Sequence, residues 1–170
     1  MSDSGAPRSR KAGSLERVRT FLVERGLEGG LLAFDDRSTK TCELAARAVG
    51  CEVGQIVKSL VFVADTQPLL ALVAGDMRGD TAAIAALMGA EKVHFADAET
   101  VRASTGYAIG GVSPYDLPVD LRVFVDESLQ RFGTVYTAAG TPSSMVRIDR
   151  TVLFELVGGH VARISRSDVS

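Results

Sequence analysis

The sequence has no tryptophan, and aromatic residues make up only 6% of it, so its core must be built mainly from Val, Leu, Ile and Ala. Two cysteines, Cys42 and Cys51, are too few for a disulfide framework. With His94 and His160 the only histidines, no zinc-ligand spacing appears. The cysteines are expected to be small buried hydrophobes in a reducing compartment. No apolar run reaches the roughly 18 residues that a membrane-spanning helix requires. The first residues, MSDSGAPRSRKAG, lack the apolar stretch of a secretory signal, so a cytoplasmic location is expected. An excess of one charge is missing too: 19 basic against 21 acidic residues give a net charge of -2. That excludes a globally basic, histone-like binder but leaves room for a small basic patch that grips a few phosphates.

What is present suits a single globular domain. In 170 residues, 46% are hydrophobic and 24% charged, with a mean hydropathy of +0.15. A chain of this size buries roughly two thirds of its unfolded surface and needs no metal or disulfide to hold its core. Residues 1–13 read as a disordered tail and 14–166 as one domain. SLERVRTFLVERG predicts a helix capped by Ser14 and closed by Gly26. Further helices follow at CELAARAVG behind Thr41, TAAIAALMG, DAETVRAS behind Asp97 and DRTVLFELVG behind Asp149. Strands are expected at LLAF, EKVHF, LRVFVDE, TVYTAAG and SMVRI, with HVARI closing the chain as the last one. Val57–Ala64 and Leu69–Ala74 form a predicted β-hairpin with Pro68 at its turn. About seven strands and five helices in irregular alternation predict an α/β fold, a single compact domain with a mixed, mostly antiparallel sheet flanked by helices.

Chemistry is sparse. The sequence contains no GxSxG and no HExxH, its glycines do not form GxGxxG, and neither cysteine has the setting of a catalytic thiol. Lys58 stands out because strand alternation puts it on the same face as Leu60, Phe62 and Ala64. An ammonium there either snorkels to water or presents a fixed positive charge to a ligand. Three loops are further candidates. GDMRGD (75–80) offers Asp76 to hold a loop and Arg78 for phosphate. GYAIGGVSP offers Gly110, Gly111 and Ser113, where consecutive glycines permit close backbone approach. TAAGTPS (137–143) offers Ala138, Ala139 and Gly140. Arg17, Arg19 and Arg25 on the first helix read as solvating charges. An enzyme with these parts would position a water and stabilise charge with backbone groups, which suits an activated ester better than an amide.

Several ordered motifs carry a family resemblance from about Ser14 to Ile164. They are T-x-x-x-A-A-x-x-x-G-C (Thr41 to Cys51), GQIVKSLVF (54–62), GD-x-R (75–78), TGYAIGGVSPY (105–115), DES-L from Asp126 and AAG-x-P (138–142). The chain resembles the YbaK/prolyl-tRNA synthetase-associated editing domains, the free-standing aminoacyl-tRNA deacylases. The resemblance implies hydrolysis of mischarged tRNA in trans, typically tRNA(Pro) carrying a small amino acid such as Ala or Cys, without metal or cofactor. By the same resemblance Lys58 matches the family's central lysine beside the terminal adenosine and the ester. Gly110, Gly111, Ala139 and Gly140 match the pocket around the aminoacyl end, and the partners are the tRNA acceptor 3′ end and prolyl-tRNA synthetase. The chain departs from the pattern at Ala138, where members that clear cysteine carry Ser in S-x-G, and at Ser59, where Thr is common. Two other readings are a non-catalytic module that binds the tRNA end or regulates a partner, and a small hydrolase of free esters or amides.

Overall fold

The centre of the molecule is the predicted hairpin, β2 (Val57–Ala64) and β3 (Gln67–Ala74), paired in register from Val57↔Ala74 to Ala64↔Gln67. This computed structural model describes residues 10–35 and 39–167. The hairpin turn is Asp65–Thr66 rather than Pro68: Asp65 takes the left-handed conformation (φ 56°), and its carboxylate accepts the backbone N–H groups of Glu91 and Lys92. Pro68 lies within β3 opposite Val63. It is tolerated because β6 begins to pair with β3 only at Leu69, so the missing N–H falls where β3 has no neighbour.

Around this hairpin runs a five-stranded mixed sheet in the order β5-β2-β3-β6-β9. The strands β5 (Val93–Phe95), β6 (Arg122–Asp126) and β9 (His160–Ala162) complete it; β6 and β9 run parallel to β3, whereas β5 is antiparallel to β2. A second, antiparallel sheet orders β1 (Leu31–Ala33), β8 (Ser144–Asp149) and β7 (Thr134–Ala138), and meets β2 through a single bridge from Ile56 to Tyr136. Two short strands escape sequence reading, β4 (Met77–Gly79) and β10 (Ser165–Ser167), which pair with each other. β4 occupies the segment expected to be a polar loop, and β10 follows the strand expected to be last. Neither has an internal apolar alternation; each is a strand only because the other lies beside it.

The helices are α1 (Arg10–Val23), α2 (Cys42–Val49), α3 (Thr81–Met88), α4 (Ala98–Thr105) and α5 (Arg150–Val157). Thr41, Asp97 and Asp149 cap α2, α4 and α5 as expected, and Asp80 caps α3. Ser14 does not cap α1: the helix starts four residues earlier, at Arg10. The expected tail is thus helical from Arg10, and residues 1–9 lie outside the described residues.

Alternation along β2 and β3 feeds two cores. Val57, Val61, Leu70 and Leu72 face α1, β7, β8 and α5, while Phe62, Ala64, Leu69, Ala71 and Val73 face Ile84 of α3 and Ile164. The row Lys58-Leu60-Phe62-Ala64 belongs to the second face, so Lys58 sits where that core ends. Asp126 is fully buried at the end of β6. Its carboxylate accepts hydrogen bonds from the backbone N–H of Ser128 and Ile164 and from Ser165 Oγ, joining β6 to the last strand.

Candidate functional site

The site follows from an incomplete strand pairing. On its outer side β5 covers β2 only from Phe62 to Ala64. The Val61 carbonyl points outward and accepts the Ala96 N–H at 3.0 Å. Two residues back the same alternation turns the backbone N–H and C=O of Ser59 outward, where no strand pairs with them. A cleft of about 300 Å³ opens along this bare edge. Its walls are Thr39–Cys42 at the start of α2, Phe95 and Ala96 after β5, the 109–112 loop, and Ala138 with Met145 from the second sheet.

Lys58 lines the cleft, half-buried, and its Nζ donates to the carbonyl of Met77 at 2.5 Å. An ammonium has three donors, so two remain for a ligand. Asp76, one residue before β4, makes a bidentate pair with Arg131 at 2.7 and 2.9 Å. The Arg131 hydrogen bonds, more than the opposing cost of burial, hold the Asp76 carboxyl below the usual carboxylate range, with a small further contribution from Lys58. Ser59 lines the same cleft, and its Oγ, buried from solvent, has no hydrogen-bond partner. A buried hydroxyl without a partner is costly and marks a place where a ligand or water would complete it.

The opposite wall is the glycine loop. Gly110 lines the cleft with φ +90°, exposed, and with open space around it, so the backbone is accessible at that point. Gly111 lies outside the lining and packs on the second turn: a Cβ on it would come within 3.0 Å of the Gly140 carbonyl oxygen. Ala138 lines the cleft, whereas Ala139 and Gly140 are behind it, with Ala139 fully buried. Ser113 is also behind it, fully buried, accepting the Tyr115 N–H. Arg78 is exposed on β4 opposite Arg166 of β10 and is not part of the cleft lining. The structure therefore brings Lys58, Gly110 and Ala138 together around one space. It puts Asp76 beside Lys58 and makes Gly111, Ser113, Ala139 and Gly140 the support of the loops.

That support includes groups the sequence did not reveal. The hydroxyl of Tyr107 donates to the Tyr115 carbonyl at 2.6 Å, and the Tyr115 hydroxyl is 2.9 Å from Thr137 Oγ1. Burial pushes the Tyr107 phenol up to about 12 and raises that of Tyr115 as well, so both remain neutral. Arg17 does not merely solvate α1: it pairs with Asp116 at 2.8 Å, reaches the Thr105 carbonyl and lies over the Tyr107 ring at 4.4 Å. Of the cysteines, Cys42 is half-buried and lines the cleft, and Cys51 is half-buried with its thiol pushed up by burial and by Glu52. Thr39 and Phe95 are lining residues that no motif announced, and Ser59 and Ile109 lie within motifs without having been singled out for the site.

Among the described residues, the lining carries no carboxylate and no imidazole, and no group of three His, Cys, Asp or Glu is placed to hold a metal ion. No helix among them is long and apolar enough to cross a membrane. A mixed α/β domain with two lysines, Lys40 and Lys58, and open backbone groups around a small cleft is suited to a small polar ligand whose developing charge is met without a side-chain base.

The sequence model of the aminoacyl-tRNA editing domain matches residues 36–156, and the chain belongs to that family. Its activity class is accordingly hydrolysis of aminoacyl-tRNA. "Uncharacterized protein YwhH" of Bacillus subtilis is 34% identical over 143 residues, 84% of this chain and 90% of the relative. "Putative Cys-tRNA(Pro)/Cys-tRNA(Cys) deacylase EbsC" of Enterococcus faecalis is 27% identical over 129 residues, 75% of this chain and 79% of the relative. Among solved structures, one described as "Crystal structure of a putative trans-editing enzyme for prolyl tRNA synthetase" superposes with a TM-score of 0.82 at 39% identity, covering 91% of this chain and 98% of that one. The expected α/β fold is the one this solved structure shares.

Proposed function

We propose that this protein removes a small amino acid, alanine or cysteine, from mischarged tRNA(Pro) in trans, in the cytoplasm, with Lys58 as its central catalytic residue. The observation that carries the reading is the convergence of the Lys58 ammonium, the outward-facing Ser59 backbone and the open Gly110 backbone on one cleft of about 300 Å³. The names of EbsC and of the trans-editing structure support the tRNA and the amino acid class. In this reading the acceptor 3′ end enters the cleft, and prolyl-tRNA synthetase is the enzyme whose errors are cleared.

Lys58 offers its two remaining donors to the terminal nucleotide and the ester carbonyl, stabilising the oxyanion that develops there. The Ser59 backbone and the 110 backbone hold the substrate and the attacking water. The water oxygen bonds to the ester carbon, the carbon–ribose oxygen bond breaks, and the water's proton leaves with the ribose oxygen, giving free amino acid and tRNA. Ala138 and Gly110 bound the space for the amino acid side chain. Asp76 steadies the Lys58 corner through Arg131, while Arg78, exposed on β4, contacts phosphate further along the acceptor strand. The buried Gly111, Ser113, Ala139 and Gly140 act on the substrate by fixing the walls.

A panel of mischarged tRNAs incubated with the protein tests this directly, with release of Ala or Cys from tRNA(Pro) as the expected result. Lys58→Ala should lower the single-turnover rate by about a hundredfold or more while the protein stays folded by circular dichroism. Hydrolysis of no mischarged tRNA, with equal binding of charged and uncharged tRNA, would instead establish a non-catalytic binding module, a reading to which the absence of a carboxylate or imidazole from the described lining also lends support.

A further inference from the structure

Two of the large apolar side chains most exposed to solvent flank the same cleft. Phe95 is 60% exposed and Ile109 is 62% exposed, and both line the space that holds Lys58. Phe95 ends β5 directly opposite Phe62, and its ring lies 4.5 Å from the fully buried Phe62 ring at an interplanar angle of 33°. One side of Phe95 is thus fixed to the core while the rest of the ring is open to the cleft mouth. Desolvating a ring in this way without covering it gains little by itself, and it leaves a rigid π-face at a fixed place.

Position along β2 gives the spacing. Phe62 lies four residues beyond Lys58, about 13 Å along the strand, and the lysine side chain and the breadth of a nucleoside together span that separation. Phe95 and Ile109 are the solvent-exposed part of the lining that also holds Lys58, so a base attached to an ester held at the ammonium meets them. Every nucleobase presents a π-face that stacks on aromatic side chains.

We infer that Phe95, with Ile109 across from it, is a clamp for a nucleobase, the terminal purine of the tRNA whose ester is hydrolysed beside Lys58. Phe95 is a positioning residue: it sets where the ester carbonyl lies and touches none of the reacting atoms. This inference rests on the deacylase reading for its substrate and adds a binding subsite to it.

The test pairs protein variants with altered substrates. Phe95→Ala should raise KM about five- to hundredfold while kcat stays near its wild-type value, and Phe95→Trp should restore KM. Mischarged tRNA with an abasic 3′-terminal nucleotide should show the same penalty with wild-type protein and no added penalty with Phe95→Ala. Equal penalties that multiply in the combined case, or a Phe95→Ala variant with wild-type KM, would overturn the clamp while leaving the deacylase reading standing. Binding is read independently with an uncharged acceptor minihelix carrying 2-aminopurine at its 3′ end. Its fluorescence should be quenched on binding wild type and less so on Phe95→Ala. Equal quenching by both proteins would likewise overturn the clamp, and failure of wild type to hydrolyse any mischarged tRNA would overturn the deacylase reading instead. Because Phe95 is exposed, the variants should melt close to wild type.

Discussion

On the glycine-loop side of the cleft, the ties are neutral and mostly buried: Tyr107 to the Tyr115 carbonyl, Tyr115 to Thr137, and Thr105 Oγ1 to the Val101 carbonyl. On the Lys58 side they are ionic and wet. Asp76 and Arg131, with side chains 42% and 44% exposed, form the pair next to the lysine, and the lysine itself holds a carbonyl. Buried neutral bonds are insensitive to pH and salt, whereas exposed charge pairs are screened and titrate. The backbone groups of the loop are therefore held in place by permanent structure, and the side that presents charge to the cleft is tunable.

Three substitutions probe that contrast, beginning with the largest expected effect on stability. Tyr115→Phe deletes the hydroxyl that meets the fully buried Thr137 and leaves Thr137 unpaired, which should cost about 1–3 kcal/mol in a denaturant titration. Deacylation should fall with it; a variant as stable and active as wild type would show that the loop is held elsewhere. Arg17→Ala cuts an ionic tie on the loop side, to Asp116, together with the stacking on Tyr107. Because the pair is partly exposed, about 0.5–1 kcal/mol is expected, with a salt dependence that Tyr115→Phe lacks. Asp76→Asn should have the smallest effect. The folded pKa of Asp76 is depressed, so the pair stabilises the protein above the unfolded carboxylate value near 4 and loses that contribution as pH falls through the lower folded value. Acid-unfolding curves of wild type and Asp76→Asn should converge at low pH and differ slightly at neutral pH, less so in high salt. A difference that persists at low pH would mean that the side chain acts by packing instead of charge.

Much of the framework was legible because it is locally encoded. Thr41, Asp97 and Asp149 announce helix starts, Gly50 a helix end, and the β-branched run after Gln55 the central hairpin. Lys58 was visible as a charge on an apolar face, and the Gly110 and Ala138 loops as places where side chains are small or absent. Errors came where local signals compete with distant partners. Pro68 reads as a turn former, yet Asp65 makes the turn because its carboxylate has backbone N–H groups at residues 91 and 92 to accept. Arg17 reads as solvation until Asp116, 99 residues away, is found beside it. The strands β4 and β10 have no pattern of their own and exist through mutual pairing.

The opening scarcities kept their meaning: without tryptophan and with few aromatics, the core is mainly Val, Leu, Ile and Ala, with Phe62, Phe124, Tyr107 and Tyr115 among its largest buried side chains. The sequence by itself determined the order of most elements, the α/β class, the caps at Thr41, Asp97 and Asp149 and the lysine, since periodicity and capping depend on neighbours within a few residues. Only the tertiary structure decided that β5 stops short along β2, and with that the cleft, the outward backbone of Ser59 and the open face of Phe95. Where a strand is left unpaired depends on where its partner ends, and that is fixed by packing between segments about 30 residues apart.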